Sequence, residues 1–236
     1  VPFGHGLFFT ASWASRQLKA RGHGTIWRVA RSAALFPITK GHERSMTMQA
    51  PMLSPQDFAN PAIRLAGYVD HGMYIHFKER LAAAPQDGLV VVEISTLGGD
   101  PELARMMGED IRFHSELRPE CRLVFLGKTA VYSAGATFMG FFATENRYLT
   151  RGTRLMIHER IITRDIRLQG PLSTCIAPLK AALNEIEASI TIQNEGFANL
   201  IMGSRVTLDE VKKRAPENWY LEANEAAALG LVTAVL

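Results

Sequence analysis

From Ile63 onward the apolar positions recur with two alternating periods, one suited to strands and one to helices. Ile63-Arg-Leu-Ala-Gly-Tyr-Val69 reads as a short strand, and 71–84 carries Tyr74, Phe77 and Leu81 at helical spacing. Leu89 to Ile94 is a continuous apolar run apart from Glu93, as expected of a strand buried on both faces. Leu97-Gly-Gly-Asp100 breaks that run, and Pro101 opens a helix through Ile111 toward Leu117, because proline suits a first helical turn. Arg122 to Leu126 is the next strand, and the small-residue stretch Ala130-Val-Tyr-Ser-Ala-Gly-Ala-Thr-Phe138 starts a helical segment reaching Phe142. Two short strands, 147–150 and 154–158, precede a long helix from about Ser173 to Met202, on which Leu179, Leu183, Ile186, Ile190, Phe197 and Ile201 mark one face. Thr207-Leu-Asp-Glu210 begins a short helix with a capping-box pattern. Trp219-Tyr-Leu221, a helix around 225–229, and the apolar run 231–236 close the chain. Strands alternating with helices, without an internal repeat, predict an α/β domain with a largely parallel sheet.

Composition narrows the function classes. A chain of 236 residues with 47% hydrophobic content can bury the core of an enzyme-sized domain. The net charge of +3 is unevenly placed: residues 1 to 45 hold seven of the 26 Lys/Arg but only one acid, Glu43, of the 23. The remainder therefore carries 19 bases against 22 acids, a net −3, with no basic stripe interleaved with aromatics. Nucleic-acid binding is not expected of such a body. The basic opening segment, residues 1 to about 55, is set apart from the domain at 56–236. It reads as a transit-like presequence, a disordered arm, or upstream sequence included with the chain. The last is favoured, because Val1 opens the chain and Met46-Thr-Met48 offers a start. No run approaches the ~20 apolar residues of a membrane span. Cys121 and Cys175 form neither a metal-like nor a redox pair, so no metal or cofactor is expected, and a reducing, cytoplasmic compartment fits.

Three features carry candidate chemistry. Ser133 is a hydroxyl nucleophile candidate among small residues at a strand-to-helix junction, where backbone N–H groups can point toward a substrate. His158 is the one histidine of seven that terminates an apolar strand-like run, Leu155-Met-Ile-His158. Gly98-Gly99 follows the preceding strand and lets backbone N–H groups face outward. Each has a plainer reading: helix-to-sheet packing for the small residues, a structural histidine, and an ordinary turn.

Taken together, Ser95-Thr-Leu-Gly-Gly99, Gly127-Lys-Thr-Ala-Val-Tyr-Ser-Ala-Gly-Ala136 and Leu155-Met-Ile-His158 resemble the motifs of the Clp protease proteolytic subunit, the ClpP family of serine peptidases. The 25-residue interval from Ser133 to His158 is similar to the family's, as is the ending Tyr220-Leu-Glu-Ala-Asn-Glu-Ala226 followed by Gly230-Leu-Val232. The resemblance spans residues 63 to 235 and implies the spiral of ββα units shared by ClpP and crotonase-type proteins. It further implies a serine endopeptidase acting on peptides or unfolded protein, assembled as a homo-oligomeric ring. By the same likeness Ser133 is the nucleophile, His158 the general base, and the N–H groups of Gly99 and Ala134 the oxyanion hole.

Departures from the family pattern keep alternatives open. Counting back from Tyr220-Leu221, the position of the family's acidic third member holds Asn218, while Asp165 is a rival seven residues after His158. The strand before the Gly-Gly turn reads Val90-Val-Val-Glu93 where the family has aromatics for docking a ring ATPase, which leaves such a partner weakly supported. The stretch 159–171, where the family has its interlocking handle, has no glycine before Gly170. A catalytically silent ring subunit, and a crotonase-type acyl-CoA enzyme on the same fold, are the competing readings.

Overall fold

The structure, a computed structural model, describes residues 53–236. The basic opening segment lies outside the described residues except for its last three. Pro55 starts a short 3-10 turn, Pro55–Phe58, whose Phe58 is buried with its ring centroid 4.8 Å from that of Tyr148. The order of elements is β1 (Ile63–Ala66), α1 (His71–Ala83), β2 (Gly88–Thr96), α2 (Pro101–Leu117), β3 (Cys121–Tyr132) and α3 (Ala134–Met139). It continues with β4 (Arg147–Leu149), β5 (Arg154–Ile157), α4 (Leu172–Ile201), α5 (Leu208–Arg214), β6 (Trp219–Glu222), α6 (Ala223–Leu229) and β7 (Ala234–Val235). Among the described residues the seven strands form one mixed sheet, parallel along β1-β2-β3-β4-β7, with β5 parallel to β3 and β6 antiparallel to β5.

Strand β3 decides the architecture. It is more than twice as long as the apolar run 122–126 predicts, because it changes partners partway. Phe125 to Gly127 face Arg147 to Leu149 of β4, whereas Ala130 to Tyr132 face Arg154 to Met156 of β5. Between these halves the pairing with β2 jumps from Ile94↔Gly127 to Thr96↔Val131, a bulge in which Thr129 takes a φ of 61°. A bulge of this kind bends and twists a strand, and beyond it β3 turns from β4 to β5. A polar Lys128-Thr129 within an apolar stretch marks the place; Lys128 pairs with Glu93 outside.

Helix α3 stops at Met139, short of the predicted Phe142. Gly140 lies where an added Cβ would come within 3.1 Å of the Leu200 backbone nitrogen, so α4 crosses against its end. Phe138 is enclosed by the rings of Phe77, Phe125 and Phe142, all at tilted or edge-on angles favourable for aromatic quadrupoles. Arg147, only 2% exposed, donates to the carbonyls of Gly140, Phe142, Asn199, Leu200 and Leu231. All but Leu231 lie at or just past the carbonyl-rich ends of α3 and α4, where a cation complements the helix dipole. Burial pushes its pKa down to about 10, which still leaves it charged at neutral pH.

The expected apolar face of α4 divides in two. Phe197 is buried in the core, but Leu179, Leu183, Ile186 and Ile190 are 40 to 54% exposed. At α5, Thr207 Oγ1 accepts from the Glu210 N–H, but Glu210 pairs with Arg214 instead of completing a capping box. Among the described residues no helix is long and apolar enough to cross a membrane.

Candidate active site

Ser133 and His158 come together because β3 and β5 are parallel neighbours that end side by side. Tyr132 pairs with Met156, and the Ser133 N–H donates to the Met156 carbonyl at 2.9 Å, one step beyond the ladder. Ser133 thus lies one residue beyond the Tyr132–Met156 pair and His158 two residues beyond it. His158 Nε2 lies 2.6 Å from Ser133 Oγ. Ser133 is the N-terminal flank of α3 at φ 55°, ψ −111°, a conformation that costs a non-glycine residue energy and persists only when its surroundings hold it. Open parallel sheets present their carboxyl strand ends to ligands, and the pair sits at such ends.

The Gly-Gly turn meets this pair from β2. An added Cβ on Gly98 (φ 116°) would stand 2.9 Å from Ser133 Cβ, and one on Gly99 (φ 143°) would stand 2.3 Å from the Val69 carbonyl oxygen. Glycine is required at both by conformation and by space. The turn is tied to Val69, which donates to the Gly98 carbonyl at 2.9 Å and accepts from the Asp100 N–H at 2.8 Å. Asp100 then caps α2, accepting from Glu102 and Leu103, and Pro101 enters the first turn. Among the described residues, the N–H groups of Gly99 and Ala134 have no acceptor, and both residues line one cleft with Ser133 and His158. The far wall is apolar, formed by Ile192, Phe197 and Leu200.

Burial holds the His158 imidazole below its ordinary pKa of 6.5, so the ring is neutral at pH 7 and able to accept a proton. Its hydrogen bond to Ser133 is the only one the ring makes among the described residues. Asn218 lies next to Trp219, which pairs with Ile157, so the antiparallel register sets it level with His158. Its backbone is left-handed (φ 58°, ψ 86°), its side chain is exposed, and no hydrogen bond joins it to the imidazole. Asp165 is exposed in the segment between β5 and α4, likewise without a bond to His158.

Sequence reasoning missed the cleft's polar frame. Arg160 forms an ion pair with Glu102 at 2.6 Å and donates its backbone N–H to Gln193 Oε1 at 2.6 Å, tying the segment after His158 to α2 and α4. Burial alone would raise the Glu102 pKa, but Arg160 and Arg105 outweigh it and hold the carboxyl low. Arg160 lies 58 positions from Glu102 and 33 from Gln193, with no periodic signal to connect them. Among the described residues no group of three or more His, Cys, Asp or Glu is placed to hold a metal ion.

No family model matches the chain. It is 26% identical over 180 residues to the ATP-dependent Clp protease proteolytic subunit 2 of Pseudomonas aeruginosa, covering 73% of this chain and 79% of that protein. To the protein of the same name from Gluconobacter oxydans it is 27% identical over 156 residues, 65% of this chain and 63% of the relative. An Asn-to-Asp mutant of ClpP1 from Listeria monocytogenes shares the fold with a TM-score of 0.57 at 18% identity, over 74% of this chain and 90% of the other. Two relatives of one name and a shared fold make the chain similar to the ClpP proteolytic subunits.

Proposed function

We propose that the protein is a serine endopeptidase in which Ser133 attacks a peptide carbonyl, His158 takes the hydroxyl proton and returns it to the leaving amine, and the N–H groups of Gly99 and Ala134 hold the oxyanion. The observation that carries this reading is the 2.6 Å contact between a His158 held below its ordinary pKa and a strained Ser133, in one cleft with two residues whose N–H groups are unpaired. A packing role for Ser133 requires none of these together. Such an arrangement performs acyl transfer: the base activates the hydroxyl, and donors aimed at the developing charge stabilise the tetrahedral intermediate. Asn218, level with His158 in the register, serves as the third member once its side chain turns inward; an amide oxygen orients the ring but brings no charge.

The substrate is a peptide or an unfolded chain, entering the cleft against Ile192, Phe197 and Leu200. The chain acts as a homo-oligomer, for which the exposed stripe of α4 offers an apolar contact surface. The silent-subunit reading draws on one observation, the absence of a carboxylate or amide bonded to His158 among the described residues. Labelling by a fluorophosphonate probe separates the two. Peptidase chemistry requires adduct formation at Ser133 that is lost in both Ser133→Ala and His158→Ala, and a wild-type chain that never labels is a scaffold.

A further inference from the structure

Thr96, the last residue of β2, is 2% exposed, and its hydroxyl is used twice by one neighbour. Thr96 Oγ1 accepts from the Gly98 N–H at 3.1 Å and donates to the Gly98 carbonyl oxygen at 3.1 Å. That carbonyl also accepts from the Val69 N–H on its other side. The Gly98 peptide groups are therefore fixed from both flanks, and of the two glycine N–H groups only that of Gly99 remains unpaired. The Thr96 methyl meets the next element: an added Cβ on Gly135, in α3, would come within 2.5 Å of Thr96 Cγ2. One side chain thus touches both the turn that carries the Gly99 donor and the helix that begins at Ser133.

We infer that Thr96 is a positioning residue for acyl transfer: its hydroxyl consumes the Gly98 N–H and so commits the Gly99 N–H to the oxyanion, while its methyl sets the distance between that donor and Ser133. This rests on the proposed peptidase reading and extends it to a residue that touches no substrate. A glycine pair has wide conformational freedom, and a donor acts in catalysis only where it is already aimed at the developing charge. The hydroxyl supplies that aim without lining the cleft. A threonine held only for its packing volume would be replaceable by valine, which has nearly the same shape; the split between rate and binding constant separates aim from stability.

The test uses the full chain, a peptidyl diphenyl phosphonate with an apolar first residue as probe, and the variants Thr96→Val and Thr96→Ser. Thr96→Val is expected to lower the inactivation rate constant by at least about ten-fold, short of the roughly 10²–10³-fold for losing an oxyanion donor outright because the donor is misaimed and not removed, and to leave the probe's binding constant unchanged. Thr96→Ser, which keeps the hydroxyl, is expected to restore most of the rate. Hydrogen exchange of the peptide spanning 97–100, measured in a Ser133→Ala background, is expected to accelerate in Thr96→Val alone. Equal inactivation of Thr96→Val and wild type overturns the role of Thr96 and leaves the peptidase reading standing. A wild type that never forms the adduct overturns the peptidase reading instead, and unchanged exchange at 97–100 then overturns the clasp as well.

Discussion

His158 reaches Ser133 across the ends of two parallel strands, Nε2 to Oγ at 2.6 Å, with the imidazole pKa held down by burial. A histidine works as a general base only when its ring is neutral. Because the folded ring has a lower pKa than an ordinary histidine, the acidic limb of the pH–rate profile for fluorophosphonate labelling should fall below pH 6.5. Stability should move in the same direction. His158 and His114, the latter held low by burial and then by Arg118, both take up protons more readily when unfolded. Urea stability should therefore fall as pH drops through the window just below 6.5. A labelling limb centred above 6.5 would contradict a desolvated base.

The two glycines of the turn should fail differently when replaced by alanine. At Gly98 the new Cβ presses on Ser133 Cβ at 2.9 Å, so the nucleophile moves and labelling should slow by roughly ten-fold or more, with a smaller loss of stability. At Gly99 the Cβ meets backbone, the Val69 carbonyl at 2.3 Å, which cannot swing aside as a side chain does. Gly99→Ala should cost about 2 kcal/mol or more in urea unfolding, through positive φ and overlap combined. Equal effects of both changes on both measurements would undo this distinction.

The sequence made the strands around the site legible because their apolar runs are buried on both faces, and it made Ser133, His158 and Gly98-Gly99 legible because each breaks such a run. It did not disclose the length of β3. Lys128-Thr129 interrupts the apolar pattern at the bulge, and a partner change has no signature in local periodicity. Nor did it disclose which part of the α4 stripe is buried: Leu183 and Phe197 look alike at helical spacing, and only the position of α3 decides that Phe197 is covered. Thr96 had a faint signal, a threonine just before a Gly-Gly turn, where hydroxyls bind nearby backbone.

Arg147 should be among the residues whose replacement costs the fold most. Its five carbonyl acceptors lie at the ends of α3 and α4 and at Leu231, and methionine would leave them without a donor in a dry site. Arg147→Met is expected to lose about 3 kcal/mol or more of unfolding free energy, since each buried unsatisfied group costs about 1 to 3. Arg147→Lys keeps the charge but not the planar fork, and should lose less. A denaturation midpoint unmoved by Arg147→Met would show that water or relaxation replaces the guanidinium.

The exposed half of α4 should report assembly. Leu183 and Ile186 are 54% and 40% exposed, on a helix whose neighbouring segment also exposes Ile161 and Ile162. Sedimentation of the wild-type chain at micromolar concentration should give a mass well above the 26.1 kDa protomer. The double substitution Leu183→Glu, Ile186→Glu should shift it toward the protomer, because charges in an apolar contact lose hydration without a partner. A wild type that sediments as a monomer would leave the stripe without this role.

Asn218 offers the sharpest test of the site. The register of β5 against β6 puts it level with His158, yet its amide makes no hydrogen bond to the ring and its side chain is exposed. When an amide does turn inward it can orient Nδ1–H but leaves the imidazolium formed during acylation uncompensated. A carboxylate at the same backbone position would both raise the His158 pKa and stabilise that cation. Asn218→Asp should therefore accelerate labelling about ten-fold, equal to about 1.4 kcal/mol of transition-state free energy. It should also move the acidic limb of the pH profile upward. Asp165→Ala should change neither, since Asp165 stands exposed in the segment between β5 and α4 with no bond to the ring. If Asn218→Asp leaves rate and pH profile unchanged while Asp165→Ala abolishes labelling, the histidine takes its support from Asp165 and the alignment through the Tyr220-Leu221 ending is wrong. If both are silent while Ser133→Ala still abolishes labelling, Ser133 and His158 act as a dyad, and the third position is vacant in function as well as in hydrogen bonding.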